Sequence, residues 1–263
     1  MSSSEISLRN TICAIGQRLY QKNFVAANDG NISCRLAGDR ILTTPTGVCK
    51  GDLTPENLVV TDLEGNPRSR GRPSSELPMH LFIYHNRPDV AAVVHAHPIY
   101  ATAFATAGIA LSECVLPEVV TTLGSIPLAS YATPSTQELP ESLRPYVAKY
   151  DAILLANHGA VTMGRDLWDA YFKMERLEHY AHVLFLARQL GGEKRLRAGE
   201  VEKLMAIRER YGLTGENPGC ELLPETPDSG NESCGCEHPI DSRYEDLIEA
   251  ILAEIRPVVL GKS

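Results

Sequence analysis

The sequence predicts an α/β protein, with helices layered on both sides of a mixed or antiparallel sheet. Short apolar runs alternate along the chain with stretches of helical periodicity. Some of these runs are joined by tight turns and others through helices, the pattern of an α/β/α arrangement. At 263 residues, 43% of them hydrophobic, the chain can build one large core, or one domain with an appendage.

Residues 5–22 read as an amphipathic helix. Leu8, Ile12, Ile15 and Leu19 recur at helical spacing, with Arg9, Gln17, Arg18 and Lys22 elsewhere. Asn28-Asp29-Gly30-Asn31-Ile32-Ser33 is a Gly-containing bend that opens a short strand. Residues 40–44 form a strand ended by Pro45-Thr46-Gly47, and residues 57–62 form another. Residues 66–73 are basic and rich in Pro and Gly, hence a loop. Ser74-Ser75-Glu76-Leu77-Pro78 reads as a helix start: hydroxyls at the cap, an acid in the first turn, Pro near the entrance. Leu77, His80, Leu81 and Tyr84 continue its apolar face.

Ala91 to His97 is a buried strand that Pro98 ends, because proline cannot donate to a ladder. A small-residue helix is expected near 99–107, a turn and strand at 124–129, and a helix over 135–148. Ala152 to Ala156 is a second buried strand, running into Asn157-His158-Gly159-Ala160. Helices over 166–190 and 199–210 complete the body.

No run of 18 apolar residues is present, and Met1-Ser2-Ser3-Ser4-Glu5 does not start a secretory signal. Seven cysteines without regular spacing suggest no disulfide framework; a reducing, cytoplasmic location is expected. Residues 1–213 balance 22 Lys/Arg against 22 Asp/Glu, while residues 214–263 hold 3 against 11, so the net charge of −8 lies in the tail. No basic patch points to nucleic acid. No Gly-x-Gly-x-x-Gly, Walker or Gly-x-Ser-x-Gly motif is present, so nucleotide binding and serine hydrolysis are not supported.

The chemistry concentrates on histidines. On a strand His95 and His97 project to one face, and neutral imidazole is a preferred ligand of zinc-like metals. Alone, the pair reads equally well as two hydrogen-bonded histidines at a strand end. His158 ends the second apolar run, and two such strands side by side would gather three histidines. Three nitrogens and an open position form a catalytic zinc-type arrangement. Glu76 by position alone complements a helix dipole; beside a metal it can be ligand, base or both. A second, small and polar cluster comprises Asn28, Gly30, Asn31, Thr46, Gly47, Ser74 and Ser75. Each is ordinary turn chemistry by itself. Brought together, such hydroxyls, amides and exposed backbone N–H groups make a phosphate cradle.

Gly30-Asn31-Ile32-Ser33, Thr44-Pro45-Thr46-Gly47, Ser74-Ser75-Glu76, His95-Ala96-His97-Pro98 and Asn157-His158-Gly159, in this order and spacing, resemble the class II aldolase/adducin family over about residues 6–213. The motifs are most similar to those of L-fuculose-1-phosphate aldolases. The resemblance implies a three-layer α/β/α sandwich around a mixed, largely antiparallel sheet. It implies that His95, His97, His158 and Glu76 bind a divalent metal, usually Zn2+, with Glu76 also the general acid/base. It places substrate phosphate at Asn28, Gly30, Asn31, Thr46, Gly47, Ser74 and Ser75. It makes Tyr211 a C-terminal tyrosine that closes over the site. The implied reaction is cleavage of a ketose 1-phosphate to dihydroxyacetone phosphate and an aldehyde, through a metal-stabilised enediolate. The implied assembly is a homotetramer with sites between subunits.

Two positions depart from fuculose-phosphate aldolases. No tyrosine stands near Leu116-Pro117-Glu118, and Pro134 replaces an aromatic after Tyr131-Ala132-Thr133. Both bear on the aldehyde half of the substrate. Ribulose-phosphate 4-epimerases, dehydratases and decarboxylases of the same family share the metal triad and stay open as alternatives. A non-catalytic adducin-like protein predicts loss of the histidines, and all three are present.

After Leu213 the composition becomes that of a linker, over 214–240. Cys220, Cys234, Cys236 and His238 within it have no standard zinc spacing. Ser242-Arg243-Tyr244-Glu245 fits a capping box, and Tyr244, Leu247, Ile248, Ile251, Leu252 and Ile255 form one apolar stripe on a helix over 241–256. Such a helix docks on its own oligomer or, as its resemblance to encapsulation peptides implies, on shell proteins of a bacterial microcompartment. Its acidic polar face argues against a membrane.

Overall fold

The computed structural model describes residues 3–210 together with Asn217, Gly219 and Cys220. Tyr211, the rest of the linker over 214–240 and the helix expected over 241–256 lie outside the described residues. Strands β1 (Asn31–Leu36), β2 (Arg40–Thr43), β3 (Val59–Asp62), β4 (Ala92–Ala96), β5 (Leu128–Ala129), β6 (Ala152–Leu155) and β7 (Gly159–Gly164) form one sheet in the order β3-β2-β1-β4-β7-β6-β5. Every neighbouring pair is antiparallel except β5 with β6. The helices are α1 (Ser3–Gln21), α2 (Leu77–Asn86), α3 (Ile99–Thr106), α4 (Pro117–Thr122), α5 (Glu138–Leu143), α6 (Leu167–Gln189) and α7 (Ala198–Arg210). The expected α/β/α sandwich is therefore present.

Strand alternation sorts the side chains into two cores. Ala92, Val94 and Ala96 of β4 pack with Ile12 and Ile15 of α1, Phe104 of α3 and Tyr171 of α6. Val93 of β4 and Ile153 of β6 face the other way, onto Ile83 and Tyr84 of α2 and Leu143 of α5. His95 shares the parity of Val93, which turns it toward the layer whose helix α2 begins directly after Glu76.

Several elements differ from expectation. The two histidine-bearing strands were expected side by side, but β7 lies between β4 and β6. His158 sits in the two-strand turn that joins β6 to β7, with Asn157 in the left-handed region at φ 56°. Asparagine tolerates that conformation, so the reversal needs no glycine at its tightest residue. Gly159 serves the approach to β4 instead: a Cβ there would sit 2.5 Å from the Ala96 carbonyl oxygen. The helix expected over 135–148 is regular only from Glu138 to Leu143, and α4 was not anticipated. The cap of α2 also differs. Its N-cap residue is Glu76, whose side chain makes no capping bond.

The cysteine expectation is corrected as well. Cys114, fully buried, is bonded to Cys220 across 106 residues of sequence, with Cα atoms 5.3 Å apart. Asn217 and Gly219 reinforce the attachment: the Asn217 amide donates to the Val120 carbonyl at 2.7 Å, and Ser125 N–H to the Gly219 carbonyl at 2.5 Å. Cys220 is thus taken by Cys114 rather than by a small zinc cluster; Cys234, Cys236 and His238 lie outside the described residues. Among the described residues no helix is long and apolar enough to cross a membrane.

Candidate active site

The centre of the sheet delivers three imidazoles to one point. β4 places His95 opposite Asn31 of β1 and Val161 of β7. One residue beyond the strand, His97 is held by its N–H to the Phe24 carbonyl at 2.8 Å. His158 reaches the same point from the β6–β7 turn. One ligand nitrogen from each lies within 4.8 Å of the others. His95 Nε2 and His97 Nε2 are 3.1 Å apart. His95 Nδ1 is 2.9 Å from the Ala160 carbonyl, which can only accept. That bond fixes the proton on Nδ1 and turns the Nε2 lone pair inward, the usual outer contact of a metal-binding histidine.

Glu76 closes the cluster. Its Oε2 is 3.2 Å from His95 Nε2 and its Oε1 is 3.2 Å from His158 Nε2. Asn31 Nδ2 donates to Oε2 at 3.0 Å. The carboxylate thus faces the triad instead of capping α2. Ser74 Oγ accepts the Glu76 N–H at 3.3 Å in place of a capping side chain.

Burial opposes ionisation of Glu76, but the His95 and His158 imidazoles outweigh it and hold the carboxyl well below its usual range. Burial alone would lower His95; the Glu76 carboxylate reverses this and raises it. His97 is pushed down to about 3 by burial and by the neighbouring imidazoles. A neutral His97 is the form that ligates a metal.

The donor set fits a divalent cation of the zinc type: three imidazole nitrogens and a carboxylate. One buried polar atom supports the fit: Glu76 Oε1 has only the His158 Nε2 contact at 3.2 Å and no further partner, whereas buried carboxylate oxygens are nearly always satisfied.

The cluster opens into a cleft of about 350 Å³. All of the residues expected at phosphate line it: Asn28, Gly30, Asn31, Thr46, Gly47, Ser74 and Ser75. Gly30 at φ 72° and Gly47 at φ 74° both need the left-handed region that glycine favours. At Gly30 a Cβ would also sit 2.6 Å from Val25 Cγ1 and 2.8 Å from the His95 carbonyl. Asn31, besides lining the cleft, donates an amide N–H to Glu76. Glu118 does not line this cleft; it lines a separate one, with Arg208 and His179.

Sequence reasoning missed Asp29 and Lys50. Asp29 Oδ2 lies 3.6 Å from His97 Nδ1. Lys50 is fully buried in the cleft wall. Asp29 had a signal, standing inside the Asn28–Asn31 bend. Lys50 had none.

Comparison with known proteins agrees with this geometry. A 3-oxo-tetronate 4-phosphate decarboxylase of Pectobacterium atrosepticum is 35% identical over 199 residues, 74% of this chain and 89% of that one. An L-fuculose phosphate aldolase of Methanococcus maripaludis is 40% identical over 172 residues, 65% of this chain and 93% of that one. A solved structure of an L-fuculose 1-phosphate aldolase aligns with a TM-score of 0.72 at 28% identity, covering 80% of this chain and 98% of that one. The Class II Aldolase and Adducin N-terminal domain model matches residues 10–185, a span that runs from α1 into α6 and holds every strand and the whole cleft. The chain therefore belongs to the class II aldolase and adducin family, and to its enzymes.

Proposed function

We propose that this protein is a metal-dependent aldolase. It cleaves a ketose 1-phosphate, L-fuculose 1-phosphate or a close analogue, to dihydroxyacetone phosphate and an aldehyde. The observation that carries the reading is Glu76, a carboxylate between two imidazoles of the triad, in the wall of a cleft lined by hydroxyls and glycine backbone. His95, His97, His158 and Glu76 would hold the metal, zinc on this reading. When bound it supplies a Lewis acid for the substrate's carbonyl and adjoining hydroxyl oxygens.

The chain's own groups then divide the work. Asn31 donates to Oε2 of Glu76, while Oε1 meets only His158 Nε2, at 3.2 Å. Oε1 is therefore the atom that moves the proton at C3, removing it from dihydroxyacetone phosphate in condensation and returning it after cleavage. Breaking C3–C4 gives the C4 hydroxyl proton up to water in the open cleft, turns C4 into the aldehyde carbonyl and leaves the electron pair of the broken bond as an enediolate over C2 and C3. The Thr46, Ser74 and Ser75 hydroxyls, the Asn28 amide and the N–H groups at Gly30 and Gly47 orient the phosphate end.

The cleft favours a substrate with one anionic group. Among its described lining residues the only cation is Lys50, and Asp29 stands at the mouth. A neutral aldehyde fragment suits that mouth better than a second anion. A second reading is decarboxylation of a 3-oxo-tetronate 4-phosphate, which leaves the same enediolate. It needs no group to take the C4 hydroxyl proton. At the end lined by Pro134 and Ser135 the described cleft offers no phenol. The same proposal includes a homotetramer with sites between subunits, a cytoplasmic location and a role for residues 241–256 in carrying the enzyme to a microcompartment shell.

The test supplies the metal-loaded protein with several ketose 1-phosphates and with 3-oxo-tetronate 4-phosphate. Dihydroxyacetone phosphate released with one equivalent of aldehyde is the expected result. Release with carbon dioxide selects the second reading, and no release from any substrate sinks both.

A further inference from the structure

We infer that Lys50 is the counter-ion of the substrate's phosphate group, the cationic member of an otherwise neutral cradle. The inference rests on the reading of this cleft as a sugar-phosphate site. Lys50 begins a short 3-10 turn, Lys50–Asp52, and its side chain is 1% exposed. Its Nζ donates to the Asn28 carbonyl at 2.8 Å and to the Val48 carbonyl at 2.6 Å. These carbonyls belong to two different loops, each of which lends residues to the cleft. Asn28 precedes β1, and Val48 follows Gly47 in the loop after β2. The ammonium therefore ties together the two loops that carry the cradle.

An ammonium has three N–H donors, and two are used. Among the described residues no carboxylate oxygen lies within 4.0 Å of Nζ; Asp29 and Glu76 act on it only from farther away. Buried charges are ordinarily paired, because removal from water is costly. Two carbonyl dipoles compensate in part. A phosphate dianion among Thr46, Gly47 and Ser74 would complete the pairing, supply the third acceptor and gain a charge-assisted bond. The competing role is a lysine that only staples two loops. The two roles differ in whether charge matters.

The experiment titrates inorganic phosphate into the full-length protein and into K50M and K50R, with ketose 1-phosphate kinetics alongside. Phosphate affinity should fall at least tenfold in K50M and return mostly in K50R. KM for the ketose 1-phosphate should rise by a similar factor, with kcat falling less. Phosphate binding in K50M equal to the unsubstituted protein overturns the inference and leaves the cradle standing. K50R as weak as K50M overturns it too, by showing that geometry and not charge is needed. Should K50M not fold, the unsubstituted protein still decides: phosphate must shift one 15N-lysine ammonium resonance, the one missing from K50R, and no such shift overturns the inference. No phosphate binding by the unsubstituted protein brings down the cradle and the inference together.

Discussion

Two clefts of this chain differ in how their charges are satisfied. The larger, of about 760 Å³, lies where the end of β7 meets α6. Its central charges answer one another. Arg87 Nη2 is 2.7 Å from Asp89 Oδ2 and 2.8 Å from Asp151 Oδ1, while Lys173 Nζ is 2.8 Å from Asp151 Oδ2 and 3.0 Å from Asp169 Oδ2. The smaller cleft has less than half that volume and gathers several unanswered groups at one place: Asn31 Oδ1, His158 Nδ1, Glu76 Oε1 apart from its contact with His158 Nε2, and the third donor of Lys50. The other unpartnered buried atoms among the described residues are scattered over Thr43, Thr61, His80, Thr102 and Tyr171. Natural proteins leave few buried polar atoms unsatisfied, and those left tend to have a ligand or a reaction to serve. The clustering of incompletely paired groups, not size, marks the site.

The contrast is broken or upheld most strongly by Glu76→Gln. The variant keeps the shape and removes the proton acceptor. Turnover should fall by about 10³-fold, the scale of a lost general acid/base. Metal content should fall only in part, because three imidazoles remain. Turnover within tenfold of the unsubstituted enzyme removes Glu76 from its role. Metal content by mass spectrometry separates lost chemistry from lost metal.

A second consequence concerns acid. His80 of α2 is fully buried behind the site, its Nδ1 2.7 Å from Ser33 Oγ and its Nε2 without a partner. Burial, aided by the nearby His95, pushes it down to about 3. Between its ordinary value and about 3 the unfolded chain therefore binds a proton that the native one does not. Stability falls with decreasing pH across that window, by up to about 1.4 kcal/mol per unit. In the larger cleft the sign is the same and the window lies lower. The Arg87 guanidinium lowers Asp89, whose contribution is present above the ordinary carboxylate range and is lost only as pH falls through its lowered value. Urea unfolding at pH 7, 5 and 4 should show the margin of the unsubstituted protein over His80→Gln shrinking steadily. A constant margin shows that His80 does not govern the acid limb.

How much of this was legible follows from what each feature depends on. His95 and His97 were visible because a strand has period two and Pro98 marks its end. Glu76 and the cradle were visible because the turn chemistry around Gly30, Gly47 and Ser74 is local. The site of His158 was right but its neighbour was not. The run Gly159-Ala160-Val161-Thr162-Met163-Gly164 carries no alternation, being buried on both faces, and so β7 did not separate from the turn. Lys50 was illegible because a lysine in a polar loop reads as solvated. Its burial comes from the closure of α1 over the 50–52 turn, where a Cβ on Gly16 would sit 2.5 Å from the Lys50 carbonyl. The Cys114–Cys220 bond joins residues 106 apart, and nothing local to either announces the partner.

The smallest effect belongs to Asp151→Asn, and it tests the comparison from the other side. Asp151 bridges Arg87 and Lys173, which are mostly buried, so the substitution leaves two cations facing each other across a neutral amide. Asp89 and Asp169 remain to hold one each, and Asp151 itself is partly exposed. The cost should therefore be about 1–2 kcal/mol, between a surface pair and a fully buried one. It should appear as a lower Tm, with kcat and KM for the ketose 1-phosphate within twofold. A large loss of turnover at unchanged Tm would mean that the paired cleft also serves the reaction. Incomplete pairing would then no longer separate a working site from a structural one in this fold.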